Sequence, residues 1–325
     1  MNAPLGGAAT PAPVAPAPVA SGSASVVRTP LTRLPAHGWA GLVLKDETQQ
    51  ISGAFKYRGT SHRVAAIAPG TSIVAASTGN HASGLAIAAA DRGLSLTVYV
   101  PQTIPQAKLA RITGAGAQPV LIDGGYDDCE AAARDTAATT GAIFIHSFDD
   151  TQVIDGHRSL FREAREQFGA GQTQAGLPDV VFVPVGGGGL VTAALREWGG
   201  QVRIIGVEYD RAPALQQSLQ QGRRITLETA AGMPEGLLVR RVGEIAFDTC
   251  RQHNLEVITV GDVELQAAMR VLWNDAGIKA EGAGAAALAA ALLHPDPQQQ
   301  ALGIVSGGNI DPQTWQSWVN GPTLT

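Results

Sequence analysis

Short runs of β-branched and apolar residues alternate with segments of helical period along almost the whole chain. This alternation limits the fold more than any other feature. TSIVAAS is followed by GNHASGLAIAAADRG, SLTVYVP by QAKLARITGAGA, and AIFIHSF by RSLFREAREQFG. QPVLI adds one more strand between them. Further on, DVVFVPV leads into LVTAALREW, VRIIGVE follows, LEVITV leads into VELQAAMRVLWNDAG, and EGAGAAALAAALL precedes ALGIVSGGN. Unbroken apolar strands are buried on both faces, and helices between them cross from one strand to its parallel neighbour. The pattern predicts an α/β protein with open, mostly parallel sheets covered by helices. With 325 residues, 45% of them hydrophobic and 16% charged, the chain has material for two domains and a large core.

Composition removes several classes of function. The formal charge is −5 and no basic run occurs, so a nucleic-acid partner is not expected. No apolar run is long and pure enough to span a bilayer, so no membrane partner is expected either. Cys129 and Cys250 are too few for a disulfide framework and read as core residues of a protein in a reducing, cytoplasmic compartment. Residues 1–25 are rich in Ala and Pro, lack a basic stretch ahead of an apolar block, and read as a disordered tail.

Ligands of open parallel sheets gather beyond the carboxyl ends of the strands. The loops there are STGNH, HSFDD, GGGG and SGGN, all rich in small and hydrogen-bonding residues. Gly186, Gly187, Gly188 and Gly189 stand between a strand and a helix, where backbone N–H groups and the positive end of the helix favour a phosphate. A glycine pair alone would read as a flexible turn. The run lacks the Gly-Lys-Ser/Thr ending of a nucleotide loop and is not a G-x-G-x-x-G fingerprint, so a phosphorylated cofactor is the better match. Lys56, one of only four lysines, lies in SGAFKYRG beside Phe55. Alone it reads as a surface lysine. Together with the glycine loop and Ser306 in IVSGGNID it supplies what pyridoxal phosphate needs: a Schiff-base amine, a phosphate cradle and a partner for the ring nitrogen.

These segments resemble, in order, the fold-type II pyridoxal-phosphate enzymes, and within them the serine/threonine dehydratase and serine racemase group. TPLTRLP, LKDETQQISGAFKYRG, ASTGNHASGLAIAAA, FDDTQVIDG, VPVGGGGL, IIGVE, EGAGAAALA and VSGGNI carry the resemblance from Arg28 to Asp311. It implies a tryptophan synthase β-like fold. Residues 26–67 and 152–325 would form a large cofactor-binding domain, and residues 68–151 a small one. It also implies residue roles. Lys56 carries the cofactor and acts as base at Cα, and Phe55 lies against the cofactor ring. Asn80 bonds the ring hydroxyl. Ser77, Thr78, Gly79, Asn80 and His81 hold the substrate carboxylate. Gly186 to Gly189 bind the phosphate, Ser306 faces the pyridine nitrogen, and Glu281 and Gly236 line the pocket. The implied activity is an amino-acid ammonia-lyase acting on a β-hydroxy amino acid such as L-threonine or L-serine, in a homodimer. β-Replacement, racemisation and a non-catalytic amino-acid-binding descendant are the alternatives. Ser306 is a weaker acid than the aspartate that would keep the ring nitrogen protonated, which suits elimination over transamination. Thr78 stands where racemases of this group have a serine serving the face of Cα opposite the lysine. Its β-branch restricts χ1, and a hydroxyl locked to carboxylate or backbone would not reach Cα, so dehydration is expected to dominate.

The chain departs from the group at three places. Ala54 stands where a serine is frequent. Gly156-His157-Arg158-Ser159 replaces Gly-Gln-Gly-Thr, which is expected to alter the pocket or an interface. Ala214 stands six residues after Glu208, where some members have an aspartate for a divalent cation. No metal is expected, and Glu208 reads as a hydrogen-bonded carboxylate at a sheet end. His81 and His146 lack ligand spacing and read as structural or substrate-contacting.

Overall fold

A computed structural model describes residues 25–169 and 176–321. The expected N-terminal tail lies outside the described residues, except Ser25. In chain order the elements are β1 (Leu31–Leu34), β2 (Gly41–Asp46), α1 (Lys56–Ala65), β3 (Ser72–Ala76), α2 (Asn80–Asp91), β4 (Ser95–Pro101), α3 (Gln106–Gly114), β5 (Gln118–Ile122), α4 (Tyr126–Thr140), β6 (Ile143–Phe144) and α5 (Thr151–Gln167). They continue with β7 (Val180–Pro184), α6 (Gly189–Trp198), β8 (Arg203–Tyr209), α7 (Ala214–Gln221), α8 (Glu244–Gln252), β9 (Glu256–Val260), α9 (Asp262–Ala276), α10 (Gly282–Leu293), β10 (Gln300–Val305) and α11 (Pro312–Asn320).

Two sheets result. The larger runs β1-β2-β10-β7-β8-β9 and the smaller β5-β4-β3-β6. Every pairing is parallel except that of β1 with β2, where Leu31 lies opposite Lys45. β7 is buried at all five positions, as a strand covered on both faces must be. α10 packs against β10 and β7, and its alanines let it approach the sheet closely, with ten of its twelve residues buried.

Two expected elements differ at their ends. The strand expected over AIFIHSF stops at Phe144. His146 Nδ1 accepts the N–H groups of Phe148 and Asp149 at 3.2 and 2.9 Å, and this turn takes the chain out of the sheet. The helix expected to open near Arg158 begins at Thr151, because Asp150 accepts the N–H groups of Gln152 and Val153 at 2.8 and 3.1 Å. Gly156-His157-Arg158-Ser159 therefore lies inside α5, where Gly156, His157 and Ser159 face α1 and Arg158 pairs with Glu197 of α6.

α1 and α5 cross at two glycines. A Cβ on Gly156 would lie 2.6 Å from the carbonyl oxygen of Arg58 and 2.8 Å from Cα of Gly59, and one on Gly59 would lie 2.5 Å from the carbonyl oxygen of Val153. These neighbours are backbone and do not yield. Gly156→Ala is expected to lower stability by about 1–3 kcal/mol, the usual range for overpacking. A denaturant unfolding curve unchanged from wild type would show that the helices separate freely.

Candidate active site

The site is built where strand ends meet the start of α1. The segment before Lys56 is tied to the one after β10. Phe55 N–H donates to Ser306 O at 2.9 Å, Gly308 N–H to Gly53 O at 3.0 Å, and the Asn309 side chain to Ser52 O at 2.7 Å. Ala54 forms an isolated antiparallel bridge with Gly307. Lys56 and Ser306, distant in sequence, thus share one floor.

Lys56 is half-buried as a residue, and its amine donates to Ser147 O at 2.7 Å. Burial lowers the amine pKa from 10.5 to about 8. The amine lies 5.2 Å from the centre of the Phe55 ring, which packs on the His157 ring at 4.8 Å. His157 is fully buried, and neither ring nitrogen has a hydrogen-bond partner among the described residues. Burial, then the charge of Lys56, hold His157 and His81 well below the ordinary histidine pKa.

The glycine loop opens α6 at the end of β7, with Gly188 in the left-handed region at φ +89°. A Cβ on Gly186 would lie 2.4 Å from Gly236 O, and one on Gly187 would lie 2.0 Å from Cγ of Phe148. The loop is therefore glycine partly because Phe148 and the Gly236 backbone press on it. The backbone N–H groups of Gly186 to Gly189 have no acceptor among the described residues. A row of unpaired donors at a helix start, next to a buried amine with lowered pKa, fits a phosphate-bearing aldehyde cofactor.

The asparagine loop precedes α2. Ser77 Oγ accepts the Gly79 N–H at 3.2 Å. Asn80 donates to Glu281 Oε1 at 2.6 Å and accepts from Asn309 at 2.8 Å. Burial raises the enclosed Glu281 carboxyl to about 7. Thr78 is half-buried, and its hydroxyl has no partner among the described residues. Ser306 is buried, with Oγ donating to Ala283 O at 3.4 Å, and Ala283 Cβ lies 2.9 Å from the Cβ position of Gly236. The structure thus gathers Lys56, Phe55, Ser306, Gly236, Glu281 and Asn80 on one side. The glycine loop meets Lys56 through residues 147–148. His81 is buried just inside α2, behind the loop.

Three contributors escaped the sequence reading. Asn309, Ser147 and Phe148 lie in loops already singled out as polar, but nothing in the sequence told which of their atoms would face Lys56, Asn80 or Gly187. Glu208 sits at the far end of β8, where its two oxygens accept the N–H groups of Leu215 and Gln216 at 2.7 and 2.8 Å, and burial raises it to about 7. It caps the first turn of α7, and both oxygens are engaged by the fold.

Comparison with known proteins decides what this architecture is. Residues 23–307 match the family described as pyridoxal-phosphate dependent enzyme. The chain belongs to that family. Within it, the chain is 36% identical over 279 residues to an L-threonine ammonia-lyase of Thermotoga maritima, a match covering 83% of this chain and 67% of that protein. Among solved structures, a threonine deaminase from T.th. superposes with a TM-score of 0.81 at 33% identity, over 88% of this chain and 94% of that one. Maize serine racemase gives the same TM-score at 28% identity, over 91% and 92%. The family's cofactor is pyridoxal phosphate, and this enzyme depends on it. Its likeness is to the serine/threonine dehydratase and racemase group of fold-type II enzymes. No helix among the described residues is long and apolar enough to cross a membrane.

Proposed function

We propose that this enzyme is an amino-acid ammonia-lyase that dehydrates a β-hydroxy amino acid, L-threonine or L-serine, to a 2-oxo acid and ammonia. The observation that carries the reading is the buried Lys56 amine, whose pKa falls to about 8 and which donates to Ser147 O, one residue before the Phe148 that presses on the glycine loop. The 36% identity to a threonine ammonia-lyase supports it.

Pyridoxal phosphate, when bound, supplies an electron sink for the bond broken at the substrate's Cα. The protein supplies the rest. Lys56 would hold the cofactor, and its amine, with a pKa of about 8 in the cofactor-free protein, is half neutral at that pH and so suited to take the Cα proton. N–H groups of Gly186 to Gly189 bind the phosphate. The 77–81 loop, at the start of a twelve-residue helix, binds the substrate carboxylate with hydroxyls and N–H groups. Asn80, fixed by Glu281 and Asn309, would bond the ring hydroxyl, and Phe55 would pack beside the ring. Ser306 offers the ring nitrogen one hydrogen bond without a full negative charge. Ser306→Ala is expected to keep the cofactor and slow turnover about fivefold, the value of roughly 1 kcal/mol for one hydrogen bond. Wild-type rates would place Ser306 away from the reaction.

We extend the reading to domain organisation and setting. The presence of two separate sheets supports reading a large domain over 26–67 and 152–325 and a small one over 68–151. The enzyme acts as a cytoplasmic homodimer, in keeping with the group it resembles and with two buried, unpaired cysteines. The functional test is a panel of β-hydroxy amino acids assayed for oxo acid and ammonia. Release of both from L-threonine or L-serine supports the lyase. A cofactor-loaded enzyme that binds the whole panel without turnover would contradict it.

A further inference from the structure

The turn after β6 reaches the site through Lys56. His146 is buried, and its ring is clamped edge to face between Phe144 and Phe148, with centres 6.0 and 4.5 Å away. Nδ1 accepts two N–H groups, those of Phe148 at 3.2 Å and Asp149 at 2.9 Å, so the ring proton sits on Nε2. Nε2 faces Glu130 Oε2 at 3.3 Å, and Glu130 is also held by Arg134. The hydrogen bond from His146, helped by the Arg134 charge, holds the Glu130 carboxyl down to about 2, although burial opposes this.

The turn fixed by His146 presents three groups. Ser147 O receives the Lys56 amine at 2.7 Å, while Ser147 Oγ donates to Ala76 O at 3.0 Å, just before the carboxylate loop. Phe148 lies against Gly187 and Gly189. Asp149 accepts the N–H groups of Glu244 and Ile245 at the start of α8. One ring nitrogen therefore sets the mutual position of the amine, the glycine loop and the end of β3.

We infer that His146 is a positioning residue, fixed by Glu130, whose Nδ1 holds the 147–149 turn so that Lys56 and the glycine loop face one cofactor. This rests on the reading of the site as the pyridoxal-phosphate site, not on which reaction it catalyses. Geometry separates the two ends of the imidazole. Asparagine places Oδ1 where Nδ1 stands, and a side-chain acceptor serving N–H groups two and three residues on is a turn that asparagine forms readily. Glutamine places its amide near Nε2, keeping Glu130 but not the turn.

The experiment compares His146→Asn with His146→Gln in the full chain. Cofactor-free protein is titrated with pyridoxal phosphate by fluorescence, and hydrogen exchange is followed at the amides of Phe148 and Asp149. The Asn variant is expected to bind the cofactor within about threefold of wild type and to keep both amides protected. The Gln variant is expected to lose about tenfold in affinity and to expose both, since two turn hydrogen bonds are lost. Equal or tighter binding by the Gln variant overturns the proposal. So does a Gln variant that fails to fold while the Asn variant folds, because that shows a purely structural role. Turnover of L-threonine by wild type is measured alongside. If it is absent while the two variants still differ in cofactor binding, the lyase reading fails and the positioning role stands.

Discussion

Replacing Lys56 with alanine is expected to lower kcat by at least about 10³-fold, within the range for removal of a positioned acid–base group, and to abolish the covalent link to the cofactor. The other lysines are occupied elsewhere. Lys45 is buried against Glu163, Gln167 and the Thr29 carbonyl, Lys108 pairs with Glu235, and Lys279 lies over the Trp315 ring at 5.8 Å. Borohydride reduction of the wild-type enzyme followed by peptide mapping should place the label on Lys56, and a label on any of the other three would overturn the assignment. In the cofactor-free protein, acylation of Lys56 should rise with a midpoint near pH 8. The folded pKa lies below the unfolded 10.5, so between about pH 8 and 10.5 the unfolded chain binds the extra proton. Lys56 alone therefore makes the cofactor-free fold gain stability as pH rises through that window, and cost it stability below.

Arg58→Ala should be the most damaging change away from the chemistry. Its guanidinium is fully buried and donates to both oxygens of Glu47, at 2.7 and 2.8 Å, to Glu163 at 3.0 Å and to Thr29 at 3.2 Å. Glu47 is also fully buried, and its other partner is Thr29 Oγ1 at 2.6 Å. Removing the cation leaves a carboxylate in the interior without its counter-charge, which costs about 3–5 kcal/mol. The network joins the chain near residue 29, the end of β2, α1 and α5, so the loss should appear as a lower Tm of the whole protein. The double variant Arg58→Met with Glu47→Met should be less destabilised than Arg58→Ala, because no buried charge is left alone. Thermal unfolding followed by circular dichroism checks both. A single variant as stable as wild type would mean that water reaches Glu47.

The sequence reveals the parallel strands because each is an unbroken apolar run, and DVVFVPV and ALGIVSGGN land on β7 and β10. It is less clear where the pattern is broken by side-chain hydrogen bonds. AIFIHSF reads as a strand by hydropathy, but the His146 turn ends it after two residues. α4 follows a quieter signal: Asp128 accepts the Gly125 N–H at 2.8 Å, and Gly141 stops the helix at φ +75°. The local composition around Lys56 and the glycine loop makes them legible. Asn309 on Asn80 and Phe148 on Gly187 depend on long-range packing that no local pattern encodes. The structure also alters one expectation about Thr78. A hydroxyl locked to the backbone is one reason to expect little racemisation, but no backbone partner is present among the described residues. What remains is the β-branch, which restricts χ1, together with the substrate carboxylate.

Racemisation needs a second acid–base group on the face of Cα opposite Lys56, a role for which the family resemblance nominates Thr78. Chiral chromatography of L-threonine and L-serine incubations, run beside an ammonia assay, therefore tests the account most directly. It predicts that ammonia and oxo acid form faster than any inverted amino acid. Inverted amino acid appearing faster than ammonia would contradict it, and would make Thr78 a working second base.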